Sequence, residues 1–484
     1  MSSRTLQQAD TPHAALAAAA STRPRWWRRL LADPAARASW RALWSSRLLV
    51  WAAGVGTILA FGFGPQRKAF DPPGVTRGFG WLGDLLAAPA ARWDAAWYLV
   101  IARYGYRPDL GPYTAARTAF FPLYPLGLKA IATLGPPPVL AGVLLSTAAL
   151  AVALYWLHRL SALELAGAPR PGRLGARAQA GAGAGTDDGA GEGARLAVML
   201  TAFAPMAFFF SAVYSESLYL ALSVGLFWSA RRGRWMWVGV LGALAGATRS
   251  TGLLLVLPAA MLYLYGPRED RAPGRPAAGA SARRGVRALR ALRPRYRLRR
   301  DALWLALLPV GVVAYGAYLA LAGGDALAPL HAQEAWGRHF AGPFAGVWDG
   351  AKAAFEGARQ LLSFQSRHVY FAAGQGSPQV SAGHNLMLFA FLVAAVPAVV
   401  GVLRRLPLAY GAYVLAAVAL ALSYPVSSQP LMSLPRFLVV LFPLNMWLAA
   451  WLLEHARWRT PVLGASGALM ALFLAQFATW HWVS

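Results

Sequence analysis

The chain has 484 residues, of which 57% are hydrophobic and 13% charged, and its mean hydropathy is +0.42. Soluble proteins carry about 25% Asp, Glu, Lys and Arg, so soluble globular, fibrous and disordered descriptions are excluded in favour of an all-α polytopic membrane protein. Forty-six Lys and Arg against nineteen Asp and Glu leave a net charge of +27, and there is no cysteine.

The basic residues gather in loops between apolar spans, which is the positive-inside signature rather than a nucleic-acid footprint. Anionic lipid headgroups attract such loops. The absence of cysteine rules out disulfides, thiolate nucleophiles and Cys-ligated metals.

No cleavable signal peptide is expected, because residues 14–20 are short, weakly apolar and followed by a basic stretch. Residues 1–47 read as a cytoplasmic tail, with Arg37, Arg41 and Arg47 ahead of a first span at about 48–63. Residues 64–117 then form a large first outer loop rich in Trp, Tyr, Asp and Arg. Residues 119–134, broken by Pro122 and Pro125, read as re-entrant or interfacial. A span at 138–160 returns the chain to a Gly/Ala-rich cytoplasmic linker, 161–193. Further spans are expected at about 196–213, 218–230, 235–247 and 251–265. The loop 267–300 holds twelve arginines and only two acids, which marks it as cytoplasmic. A span at 302–322 leads to an outer loop, 323–383, with four basic and four acidic residues. The last spans fall at about 385–403, 410–424, 437–453 and 462–477. About eleven crossings result, and the membrane domain covers 48–480.

This topology puts Asp94, Glu216, Arg249, His331, Glu334 and Arg436 at the outer ends of spans or in outer loops. Charged groups near mid-bilayer cost roughly 2.5–3.5 kcal/mol each on insertion scales, so they usually face a cavity or a partner. Asp94, in Arg92-Trp93-Asp94-Ala95-Ala96-Trp97-Tyr98, has two readings. It caps the helix that Trp97, Tyr98 and Ile101 stripe, or it takes a proton from an acceptor hydroxyl as general base. Glu216, in Tyr214-Ser215-Glu216-Ser217, is a solvated turn acid or a carboxylate that binds sugar hydroxyls or orients a basic partner. Arg249 and Arg436 snorkel to headgroups or hold a phosphate in their planar forks. His331 and Gln333 open the long outer loop. One histidine without a second ligand at spacing makes no metal site. There is no Walker loop, His-Glu-x-x-His or Gly-x-Ser-x-Gly motif.

The stretch Arg92 to Leu99, with Ile101-Ala102 and Gly105-Tyr106 and then Ala119-Phe120-Phe121-Pro122-Leu123-Tyr124-Pro125, resembles the bacterial PIG-V-type mannosyltransferases. Tyr214-Ser215-Glu216-Ser217-Leu218, Ala247-Thr248-Arg249-Ser250-Thr251-Gly252 and Pro435-Arg436-Phe437 fit the same pattern in order. The resemblance implies a GT-C-like helical bundle whose first outer loop carries a catalytic Asp, here Asp94. It also implies a polyprenyl-phosphate sugar donor, most simply of mannose, and inversion at the anomeric carbon. Glu216, Arg249 and Arg436 become site candidates. Trp93, Trp97, Tyr98, Tyr106 and Tyr124 become candidates for sugar contacts, although interfacial aromatics also anchor helices in the bilayer. The expected partners are that donor, a glycan or glycolipid acceptor and membrane lipids. No cofactor is required, and the sequence leaves a divalent metal open. The expected location is the plasma membrane, with the site facing outside the cytoplasm. A transporter or flippase of lipid-linked sugars is the alternative, but no internal repeat of the kind such folds carry is visible.

Overall fold

The computed structural model describes residues 32–65, 72–106, 116–166, 187–272, 293–370 and 377–483. These residues form helices and no strands. In chain order the α-helices are α1 (Pro34–Phe61), α2 (Gly80–Ala87), α3 (Ala95–Tyr104), α4 (Leu123–Ala132), α5 (Pro138–Leu165) and α6 (Asp187–Ala202). They continue as α7 (Glu216–Arg231), α8 (Trp235–Thr248), α9 (Val256–Tyr265), α10 (Val310–Gly323), α11 (Ala328–His331) and α12 (Ala345–Leu362). The last five are α13 (Pro378–Arg405), α14 (Leu408–Leu422), α15 (Leu434–Val439), α16 (Phe442–Glu454) and α17 (Arg459–Ala478).

Helices α1, α5 and α13 and the stretch Ala456–Ala478 are each long and apolar enough to cross a bilayer. A fifth crossing results if Arg300–Leu307 and α10, bent by 42°, count as one span. The other apolar helices have 10–17 residues, short of the roughly 20 that the hydrocarbon core requires. Hydropathy alone therefore counts about eleven crossings where the described residues hold four or five long ones, beside shorter apolar helices. Helix breaks inside a membrane domain persist where protein, not lipid, surrounds the freed backbone. Three breaks surround the site described below: residues 203–215, Arg249 and residues 423–433.

Helix α1 begins fourteen residues before the expected span. Asp33 caps it by accepting from Ala35 N at 2.9 Å, with Pro34 in the first turn. Arg41 and Arg47 thus lie within the helix, and Arg47 is buried rather than at the headgroups. Its guanidinium donates to Ala207 O at 2.9 Å, Ser211 Oγ at 2.7 Å and Ala202 O at 3.1 Å. Two of those acceptors are carbonyls, at the end of α6 and in the turn after it, the kind of group a basic side chain satisfies at a helix C-terminus, and the third is a hydroxyl of the same turn. One arginine of the sequence-predicted tail therefore holds the irregular segment that leads to Glu216.

Within the expected first outer loop, 64–117, the described residues include α2 and α3. The expected linker 161–193 shortens at both ends, to α5 and α6. Most of that linker and residues 273–292 of the arginine-rich loop lie outside the described residues.

Helix α5 packs along α6 and α7, and α8 packs against α7 and α10. The α8–α10 contact is close enough that Gly311 has no room for a side chain: a Cβ there would run into the carbonyl oxygen of Ala243. Small residues of this kind let helix backbones approach in membranes.

Candidate active site

Asp94 sits at the amino end of α3, but its side chain makes no capping bond. Trp93 before it is left-handed (φ 53°). The carboxylate accepts instead from Arg436, Nη1 to Oδ2 at 2.7 Å, across 342 residues of sequence. Of the two readings open for Asp94, the structure shows a group aimed away from its own helix.

Arg436 lies in α15, which starts after left-handed Ser433 (φ 70°) with Leu434-Pro435 as its first residues. Its Nε is 3.5 Å from Glu216 Oε1. Glu216 opens α7, where a first-turn carboxylate is favoured by the helix dipole. It is 1% exposed, so it is no solvated turn acid. The same Oε1 accepts from Arg249 Nη1 at 2.7 Å, while Oε2 is buried and has no hydrogen-bond partner. Arg249 occupies the break between α8 and the 3-10 turn Ser250–Leu255, in extended conformation (φ −155°, ψ 148°). A continuous chain of ionic contacts thus runs Asp94, Arg436, Glu216, Arg249.

Neighbouring bonds fix this arrangement. Val213 N donates to Ala90 O at 2.9 Å, and Tyr214 OH donates to Arg92 O at 3.0 Å. Tyr98 OH shares a hydrogen bond with Ser215 Oγ at 2.8 Å. Together they join the segment around Asp94 to the segment that carries Glu216.

A fifth charged group, Arg338, was not singled out by sequence reasoning. It donates to Met432 O at 2.9 Å, and its guanidinium lies 5.8 Å from the Phe437 ring. Arg249 and Arg436 lie over that same ring at 5.6 and 5.8 Å, a cation–π arrangement. Burial first, and the positive charge of Arg436 second, pull the Arg338 guanidinium down to about 10. Three guanidiniums therefore face two carboxylates, an excess of one positive charge.

Asp94, Arg249, Arg338 and Arg436 line a cavity of about 1820 Å³. Ligand pockets for small molecules are usually about 300–1,000 Å³, so this one has room for more than a sugar. Much of its wall is apolar, including Leu253, Leu254, Val312, Leu330 and Leu441.

The other sequence candidates divide. Trp93, Tyr98 and Gln333 line the cavity. Trp97 does not; it stacks on Phe120 at 5.4 Å and meets Trp336 edge-on. Tyr124 is wholly buried and bonded to Ser146 Oγ at 2.8 Å and Gly142 O at 3.1 Å, away from the cavity. Tyr106 donates to Phe120 O and packs on Tyr315. These three aromatics support the walls rather than face the space. His331 is exposed and pairs through Nδ1 with Asp325 Oδ2 at 2.8 Å, also outside the cavity. That hydrogen bond, with one from Leu327 N, holds the Asp325 carboxyl below its ordinary value. Glu334 is exposed. Among the described residues no three His, Asp or Glu side chains come together as a metal-ligand set.

Residues 81–264 match the family model described as Mannosyltransferase (PIG-V). The match supports a PIG-V-type mannosyltransferase family. Within the matched segment lie Asp94, Glu216 and Arg249; Arg338 and Arg436 lie beyond it. No curated protein and no solved structure matches the chain. The apolar helices suit a multi-pass membrane protein, and the matched segment is similar to a mannosyltransferase, an activity that needs a sugar donor and an acceptor.

Proposed function

We propose that this protein is a mannosyltransferase that takes mannose from a polyprenyl-phosphate donor and passes it, with inversion, to an acceptor hydroxyl at the extracytoplasmic face of the plasma membrane. The observation that carries the reading is the Asp94–Arg436 contact inside a cavity with surplus positive charge. A lipid-linked donor needs an apolar space for its chain and cations for its phosphate. Leu253, Leu254 and their neighbours supply the first, and Arg249, Arg338 and Arg436 the second.

In the proposed step the acceptor oxygen attacks the anomeric carbon as Asp94 removes its proton. The bond from that carbon to the phosphate oxygen breaks, and the lipid phosphate leaves with the electron pair. The guanidiniums stabilise the charge that grows on the leaving phosphate, a preorganised electrostatic contribution. Displacement in one step from the opposite side inverts the centre. Arg436 touches both Asp94 and Glu216. A bound phosphate can therefore draw it off Asp94 while Glu216 keeps it in the site, which frees the carboxylate when the donor is present. The scheme uses no metal. The outward orientation is supported by the arginine-rich loops on the opposite side of the sequence-predicted topology.

The test is transfer by Asp94→Asn in membranes supplied with polyprenyl-phosphate mannose. Wild-type rates from that variant would remove Asp94 from the chemistry. Product formation in detergent, where transport has no meaning, separates an enzyme from a flippase.

A further inference from the structure

The cavity has a second wall whose chemistry the transfer step leaves unused. Helix α17 ends at Ala478, and the chain turns at Trp480, which is left-handed (φ 65°), so that Trp480, His481 and Trp482 line the cavity. Arg92 pins this turn: its Nε donates to Ala478 O at 3.1 Å, and its guanidinium covers the Trp480 ring at 4.6 Å. Trp93, next to Asp94, meets Trp480 at 5.6 Å and Trp482 at 5.2 Å, both nearly perpendicular. Trp482 in turn lies 6.0 Å from the Arg436 guanidinium. His384 and Gln429 line the same space and contact each other, Nδ1 to Nε2 at 3.3 Å. The indole N–H of Trp482 is buried without an acceptor among the described residues.

This group differs from the rest of the wall. A prenyl chain offers nothing to an indole N–H, an amide or an imidazole, and burying such groups against hydrocarbon is unfavourable. A phosphate would go to the arginines. A pyranose suits the group: its C–H face packs on aromatic rings, and its hydroxyls both donate and accept, as amide and imidazole side chains do. The group also abuts both partners of the Asp94–Arg436 contact, where an attacking hydroxyl must arrive. We propose that Trp93, Trp482, His384 and Gln429 form a carbohydrate subsite that holds the acceptor's sugar against Asp94. This rests on the transferase reading above for its role, though not for its ability to bind sugar.

Two measurements on the full chain in detergent test it. The first is binding of methyl α-D-mannopyranoside, followed by saturation-transfer NMR, to the wild type and to Gln429→Leu and Trp482→Phe. The second is transfer from polyprenyl-phosphate mannose to octyl α-D-mannopyranoside. Losing one hydrogen-bonding group to a sugar hydroxyl is expected to weaken binding of the methyl mannoside and to raise the octyl mannoside KM by about tenfold. The donor KM should stay within about twofold, as for a residue that touches only the acceptor. Rescue of the pyranoside signal in Gln429→Glu, which keeps an acceptor oxygen, would add support. Methyl mannoside binding that is absent, or equal in wild type and both variants, overturns the subsite; so does a donor KM that rises while the acceptor KM stays put. Gln429-dependent binding without any transfer would instead sustain the subsite and overturn the function proposed above.

Discussion

Replacing Asp94 with Asn changes one atom of the side chain and keeps its shape, so its two consequences can be separated. Asp94 and Arg436 have side chains 11% exposed, and their contact is 2.7 Å. An amide oxygen can still accept from Arg436 there. Arg436 keeps its charge and its 3.5 Å contact with Glu216, so the variant loses only the ionic part of a bond worth about 1.5–3 kcal/mol, roughly 1–1.5 kcal/mol of stability. That is small beside a total of about 5–15 kcal/mol, and the protein stays folded. Transfer should fall by about 10²–10⁴, the usual contribution of general-base assistance. Arg436→Gln behaves differently, because it strands a carboxylate: breaking a buried pair from one side costs about 3–5 kcal/mol. In the double variant no unpaired charge remains at this position, since Glu216 keeps Arg249. It should therefore be more stable than Arg436→Gln alone, with a coupling energy of about 1–3 kcal/mol. Thermal unfolding in one detergent gives the stability cycle, and initial transfer rates per folded protein give the catalytic one. Wild-type transfer by Asp94→Asn, or strict additivity of the two stability losses, would refute this account.

Three further outcomes are expected. Arg249→Gln leaves Glu216 with only the 3.5 Å contact to Arg436; unfolding should show a loss of about 3–5 kcal/mol, the donor KM should rise, and adding Glu216→Gln should restore most of the stability but not the KM. Gly311→Val should force α8 and α10 apart, lowering stability by about 1–3 kcal/mol as overpacking does, which thermal unfolding would register. In this cysteine-free chain, a single cysteine replacing His331 should react with a membrane-impermeant maleimide on intact cells, whereas one replacing Arg457 should react only after permeabilisation.

The residues of the ionic chain were legible because charge is rare in this sequence. Arg249 is the only ionisable group with a fixed charge between Arg234 and Arg268, and a costly residue in an apolar context announces a partner. Their convergence was legible as a topological expectation, but the pairing was not. No local pattern tells Asp94 to choose Arg436 over its own helix end. The burial of Glu216 was hidden for a similar reason. A short polar tetrapeptide between two apolar runs reads as a surface turn, whereas the clamp that takes Tyr214–Glu216 inside comes from Ala90, Arg92 and Tyr98 in another part of the chain.

Aromatic residues carried the least information. Trp97, Tyr106 and Tyr124 sit in the motif, yet they face its supports; Trp482, which faces the cavity, stands in a tail where tryptophan reads as a membrane anchor. Arg338 was equally silent, one of four basic residues in a loop of balanced charge. What decides the function of such residues is which helix break they border, and hydropathy reads those breaks as ordinary turns. The expected spans 235–247 and 251–265 leave Arg249 between them, and 410–424 and 437–453 leave most of residues 423–433, with nothing to mark either turn as part of a site. Yet an uninterrupted helix would have met its own backbone needs and left no reason for a charge to remain there. A break surrounded by protein exposes carbonyls and N–H groups that must be satisfied from elsewhere, and the side chains recruited to these breaks are also those poised around the cavity. Restoring helix continuity at Arg249 should therefore cost the site its phosphate partner, whatever it does for the stability of the span.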